Sequence, residues 1–190
     1  MLDFISFLVV TIFSESEKIK NKTIALLLCY LLMALFQKLY RYDAEQFLPI
    51  SLDEAWDFFS SPHNLKEITP AHLDFKITND TGKGKMYEGM FITYIVKPVL
   101  GIPMRWCTEI THIEDKKHFI DEQRFGPYSC WHHEHHFEAV DGGVLMKDTV
   151  IYGIPFGFIG RIANSLFVRK EVANIFIYRK EVTDKLFPTK

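Results

Sequence analysis

"SCWHHEHHFEAVDGGVLMKDTVIYGI", residues Ser129 to Ile154, reads as two strands joined by a tight turn, and it packs four of the eight histidines into five positions. Extended chain points successive side chains to opposite faces, so Trp131, His133, His135 and Phe137 share one side while Cys130, His132, Glu134 and His136 share the other. The bulk of Trp131 and Phe137 marks the first set as inward. The "DGG" turn admits a two-residue loop at Asp141-Gly142 or at Gly142-Gly143. Both choices turn Val144, Met146, Asp148, Val150, Tyr152 and Ile154 inward. In the first register His135 opposes Asp148; in the second His135 opposes Val150, Phe137 opposes Asp148, and Glu138 meets Lys147 outside. An inward carboxylate is costly unless a partner satisfies it. The expectation is a buried hydrogen bond between His135 and Asp148, with His133 near Tyr152 or Val150.

Upstream of this hairpin, "KLYRYDAEQF" reads as an edge strand, and Ser51 three residues before Glu54 forms a capping box for a short helix carrying Ala55, Phe58 and Phe59. "NLKEITP" adds one more helical turn, stopped by Pro70. Strand character follows over Leu73 to Thr78, Met86 to Val96, Met104 to Ile113, Phe119 to Phe125, Tyr128 to Val140 and Val144 to Ile154, separated by "NDTGKG", "EDKK" and "DGG". After "GIPFG" the period becomes helical, with Ile159, Ile162, Ala163, Leu166, Phe167, Ala173, Phe176 and Ile177 as the apolar stripe. The layout predicts an α+β fold in which a curved antiparallel sheet clasps a long C-terminal helix. Such a grip leaves a space between sheet and helix.

Composition narrows the function. The 22 Lys and Arg against 24 Asp and Glu leave a net charge of −2 and no basic excess for a phosphate backbone, so nucleic acid is excluded as a partner. Three separated cysteines without a CxxC pair read as reduced thiols, which places the protein in the cytoplasm. "TGKGK" lacks the phosphate-loop pattern and reads as a hairpin turn. Ser129 and Cys130 adjoin histidines only in sequence, since strand neighbours point apart, so nucleophilic catalysis has little support.

Residues 1–37 form a separate apolar extension and 38–190 the ligand-binding domain. The runs "MLDFISFLVVTIF" and "TIALLLCYLLMALF" both fall short of the roughly 20 apolar residues a spanning helix needs. Two readings stay open: a helix from Thr23 to Phe36 that associates with the inner membrane, and an upstream extension of a chain that starts at Met33.

Together, "LPISLDEAWDFFSSPHNLKEITP", "GMFITYIVKPVLGIPMRWCTEI", the stretch from Phe119 to Gly157 and the closing helix resemble the SRPBCC group, the START and Bet v 1-like helix-grip superfamily, near its polyketide cyclase and coenzyme Q-binding branch. The resemblance covers Leu39 to Leu186. Its pattern is matched by Gly126, Pro127, Trp131, His133, His135, Phe137, Asp148, Val150, Tyr152, Pro155 and Gly157. It implies a helix-grip fold and, more loosely, an apolar ligand, since members bind lipids, quinones or hormones and a few catalyse cyclisations.

Three roles compete for His133, His135 and Asp148: a satisfied polar network that shapes the interior; hydrogen bonding to the polar end of an apolar ligand; and an H-x-H pair with Asp148 as third ligand for zinc or iron. His132, Glu134 and His136 read as solvated surface. The assignment that follows is a binding module for a small hydrophobic molecule, with neither cofactor nor metal. Its wall is drawn from Tyr94, Trp106, Phe125, Trp131, His133, His135, Asp148, Tyr152, Leu166 and Phe167. The alternatives are a cyclase or hydrolase with His135 as general base oriented by Asp148, and a membrane-tethered lipid carrier.

Overall fold

The structure, a computed structural model, describes residues 22–24, 38–80, 84–99 and 101–188. The expected helix from Thr23 to Phe36 therefore lies, apart from its first two residues, outside the described residues. Among those described, no helix is long and apolar enough to cross a membrane.

The described residues form one sheet of seven antiparallel strands: β1 (Leu39–Leu48), β2 (Lys76–Asp80), β3 (Phe91–Val99), β4 (Ile102–Glu114), β5 (His118–Phe125), β6 (Cys130–Val140) and β7 (Gly143–Gly153). Their spatial order is β1-β7-β6-β5-β4-β3-β2, so the first strand lies on the last and β1 and β2 are the two edges. Register shifts between β4 and β5, at Cys107/Thr108 and Ile110/His112, leave one extra residue on each strand, Arg124 of β5 and Thr111 of β4, and bend the sheet. The bend lets the sheet close around the helix.

Between β1 and β2 runs α1 (Leu52–Phe59). Ser51 caps it: its Oγ accepts from the Glu54 backbone N–H at 3.2 Å, and its own N–H donates to Glu54 Oε2 at 3.0 Å. The buried residues of α1 are Ala55, Trp56 and Phe59; Trp56 meets Phe119 and Phe137 edge-on at 6.0 and 5.6 Å, which plugs one end of the grip. Two short 3-10 turns, Pro62–Lys66 and Ala71–Leu73, lead into β2.

The chain ends in α2 (Gly157–Ala163), one π turn (Asn164–Val168) and α3 (Arg169–Leu186). Its buried stripe is Gly157, Gly160, Asn164, Val168, Val172, Phe176, Arg179 and Thr183. This corrects the expected stripe: Ile159, Ile162, Leu166, Phe167 and Ile177 are exposed. The reason is space. A Cβ on Gly160 would sit 2.2 Å from the Pro155 carbonyl oxygen, so only a minimal residue fits beneath the first turns and the large side chains face away. Farther along, Gln46 of β1 donates to Thr183 Oγ1 at 2.6 Å and to Asp184 Oδ1 at 3.0 Å, fastening the helix to the edge strand.

Candidate functional site

In the β6–β7 hairpin Val140 faces Gly143 and His135 faces Asp148, so the loop is Asp141-Gly142 and the first of the two registers holds. His133 stands opposite Val150. On the other flank, β5 places Asp121 opposite His133 and Phe119 opposite His135. The H-x-H pair is therefore bracketed by a carboxylate from each neighbouring strand.

The contacts correct the expected pair: the hydrogen bond to Asp148 comes from His133, while His135 bonds Asp121. His133 Nε2 donates to Asp148 Oδ1 at 2.9 Å, and His135 Nδ1 lies 2.9 Å from the same oxygen but out of hydrogen-bond alignment. His135 Nε2 donates to Asp121 Oδ2 at 3.1 Å, with His133 Nδ1 3.4 Å from that oxygen. Arg179 of α3 donates to Asp148 Oδ1 at 3.2 Å and stacks on the Phe176 ring at 4.9 Å. Each imidazole thus bridges two carboxylates.

Burial shapes these ionisations. Desolvation would raise the Asp148 carboxyl, but the bond from His133, the adjacent His135 ring and the field of Arg179 hold it well below the usual carboxylate range. Asp121 is lowered in the same way, burial being outweighed by the His135 bond and the two imidazoles. Desolvation, with the neighbouring His135 charge, pushes His133 down to about 4. For His135 burial works downward too, yet the carboxylates of Asp121 and Asp148 beside its ring raise it.

Above this polar floor lies a cavity of about 130 Å³ between the sheet and α3. It is roughly the size of an engineered apolar cavity that admits one benzene ring. Trp106, Trp131, Tyr94 and Tyr128 form an aromatic wall; Trp106 lies 5.7 Å from Tyr94, 5.4 Å from Tyr128 and 5.2 Å from Trp131 between ring centroids. Tyr94 shares a 3.0 Å hydrogen bond with Thr108. At the rim, His72 Nε2 lies 2.6 Å from Glu171 Oε1, joining the Ala71–Leu73 turn to α3.

Of the residues named from sequence, Tyr94, Trp106, Trp131, His133 and His135 line this cavity. Asp148 lies behind the histidines, and Tyr152 donates to Asn164 Oδ1 at 3.0 Å beneath the π turn. Phe125, Leu166 and Phe167 are corrections, being 53%, 73% and 43% exposed. Pairing of β5 with β6 ends at Glu122–His132, so Phe125 projects past the covered part of the sheet. Leu166 and Phe167 are turned outward because Asn164 and Val168 hold the inward positions of that turn. Asp121, Arg179 and Tyr128 were missed. Asp121 carried a signal: it has the same strand parity as Phe119 and so shares its inward face. His132 and His136 bond Glu122 and Glu134 on the outer face, at 2.9 to 3.1 Å.

No family model matches this sequence, and no curated protein is detectably similar to it. Among solved structures, an uncharacterized protein from Rhizobium leguminosarum superposes with a TM-score of 0.60 at 14% identity, over 78% of this chain and 97% of that one. The major latex-like protein 151 of Panax ginseng gives 0.58 at 12% identity, over 80% and 99%, and Ara h 8.0201 gives 0.53 at 15%, over 79% and 98%. The chain has the helix-grip fold of the Bet v 1-like superfamily, as the sequence resemblance implied. Identities this low speak to fold alone.

Proposed function

We propose that this protein binds a small hydrophobic molecule by inserting one ring-sized, oxygen-bearing end into the cavity between the sheet and α3. The observation that carries the reading is a mismatch inside an aromatic-walled space. Among the described residues four buried side-chain polar atoms make no hydrogen bond, and two of them, Trp106 Nε1 and Arg179 Nε, belong to cavity-lining residues and face no carboxylate within hydrogen-bond reach. Buried polar groups are normally satisfied. The indole and guanidinium nitrogens can only donate, so the complementary ligand atom is an acceptor such as a ketone, quinone or carboxylate oxygen. A quinone or polyketide-like ring fits that description, in keeping with the branch of the superfamily the sequence resembles.

Binding is preferred to turnover because both ring nitrogens of His135 lie within 3.1 Å of carboxylate oxygens. A base so engaged has no free nitrogen for a substrate proton. Cytoplasmic residence, with or without membrane association through Thr23 to Phe36, belongs to the same proposal. Fractionation of cells expressing the chain with and without residues 1–32 tests it; an identical soluble distribution would rule out a tether.

For the ligand itself, native mass spectrometry of the full chain, compared before and after denaturation, should release an organic molecule. A short-chain benzoquinone should then bind the emptied protein and quench the tryptophan emission, and Trp131→Ala should weaken it at least tenfold. Neither a released mass nor any quinone binding would overturn the proposal.

A further inference from the structure

We propose that Asp121, His133 and His135 form a binding site for one divalent transition cation, with Asp148 as the carboxylate that orients both imidazoles. The inference concerns the floor of the same cavity but does not rest on an organic ligand binding there.

Four nitrogen-to-carboxylate contacts surround the H-x-H pair: His133 Nε2 and His135 Nδ1 face Asp148 Oδ1, each at 2.9 Å, and His133 Nδ1 and His135 Nε2 face Asp121 Oδ2, at 3.4 and 3.1 Å. One oxygen of Asp121 thus meets one nitrogen of each ring, while Asp148 lies against the other nitrogen of each. Two imidazoles and a carboxylate from three separate side chains are gathered on one side of the pair, the donor set a transition cation takes.

Geometry agrees. Ligand atoms bound at about 2.1 Å to a tetrahedral ion lie roughly 3.4 Å apart. The Asp121 oxygen is 3.1 and 3.4 Å from its two nitrogens, and the candidate ligand atoms of the three residues all fall within 4.8 Å of one another. Asp148 supplies the carboxylate-to-histidine contact that fixes tautomers in metal sites. Arg179 neutralises Asp148, at 3.2 Å, and so leaves Asp121 as the anion available to the cation. All three proposed ligands line the cavity, hence the remaining coordination position opens into it. Two imidazoles and one carboxylate suit zinc or ferrous iron.

The test uses the full chain, purified without a metal-affinity tag and stripped with chelator, then titrated with Zn²⁺ and with Co²⁺ in the absence of any organic ligand. One equivalent should bind, with visible Co²⁺ bands of a four- or five-coordinate site. Asp121→Asn should weaken Zn²⁺ at least 100-fold, and Asp148→Asn by about 10- to 100-fold. Replacing both outer-face histidines, His132→Gln with His136→Gln, should change nothing. Should Asp121→Asn fail to fold, the Co²⁺ spectrum of wild type against the outer-face variant decides. No uptake, or uptake lost with the outer-face histidines, would overturn the site and leave the quinone-binding result untouched.

Discussion

Replacing Arg179 by methionine isolates the energetic role of the buried charge cluster. The residue is 8% exposed, and its guanidinium is 3.2 Å from Asp148 Oδ1. At an effective dielectric of about 20, two unit charges at that distance attract by about 5 kcal/mol. Against this stands the dehydration of the guanidinium, several kcal/mol, which methionine does not incur. Methionine keeps the stem volume over Phe176 but forfeits the cation–π contact, about 1 kcal/mol. The net expectation is a loss of about 3 kcal/mol, which for a chain of this size lowers the melting temperature by about 6–12 °C. Urea unfolding of Arg179→Met, Asp148→Asn and the double variant would measure it, and the cycle should return a coupling above about 1 kcal/mol. A methionine variant as stable as wild type, with coupling near zero, would refute the reasoning: the charges would then be replaceable by apolar packing without loss.

Three further outcomes are expected. Gly143→Ala should cost more than about 2 kcal/mol or prevent folding, because a Cβ there would lie 2.2 Å from the Leu48 carbonyl oxygen on β1, and overpacking of a rigid contact of this kind is strongly destabilising; expression and circular dichroism would report it. Along the final helix, Leu166→Ser should stay within about 0.5 kcal/mol of wild type. Val172→Ala, at a fully buried position, should cost about 2 kcal/mol in the same urea assay. Finally, burial raises the Tyr94 and Tyr128 phenols above their ordinary range. The folded state therefore holds those protons when the unfolded chain has begun to lose them, so stability is full below pH about 10 and falls as pH rises further. The part of the tyrosinate absorbance that Tyr94→Phe and Tyr128→Phe remove should rise together with unfolding, in one cooperative step; gradual ionisation of both phenols in a still-folded protein would contradict it.

The sequence by itself determined whatever depends on local geometry. Strand parity set His133, His135 and Asp148 on one face; the Ser51–Glu54 spacing made the cap of α1; the turn residues delimited the strands, and the order of elements implied the grip. The tertiary structure alone decided which of two equally faced registers formed, because a shift of two residues leaves every side chain on the same side. It also decided the partners. Strand parity places Asp121 of "FIDEQRF" on the inward face with Phe119 but names no partner, and Arg179 in "IYRKEV" looks like ordinary surface charge; only the pairing of β5 with β6 and the lie of α3 bring them to the histidines. The stripe of the last helix was misjudged for a related reason. Hydrophobicity alone marks Leu166 and Phe167 for the interior, but the chain passes so close to the Pro155 carbonyl that the inward positions there belong to Gly160 and Asn164. Local chemistry chooses faces, whereas the distance between packed elements chooses which side chains those faces can hold.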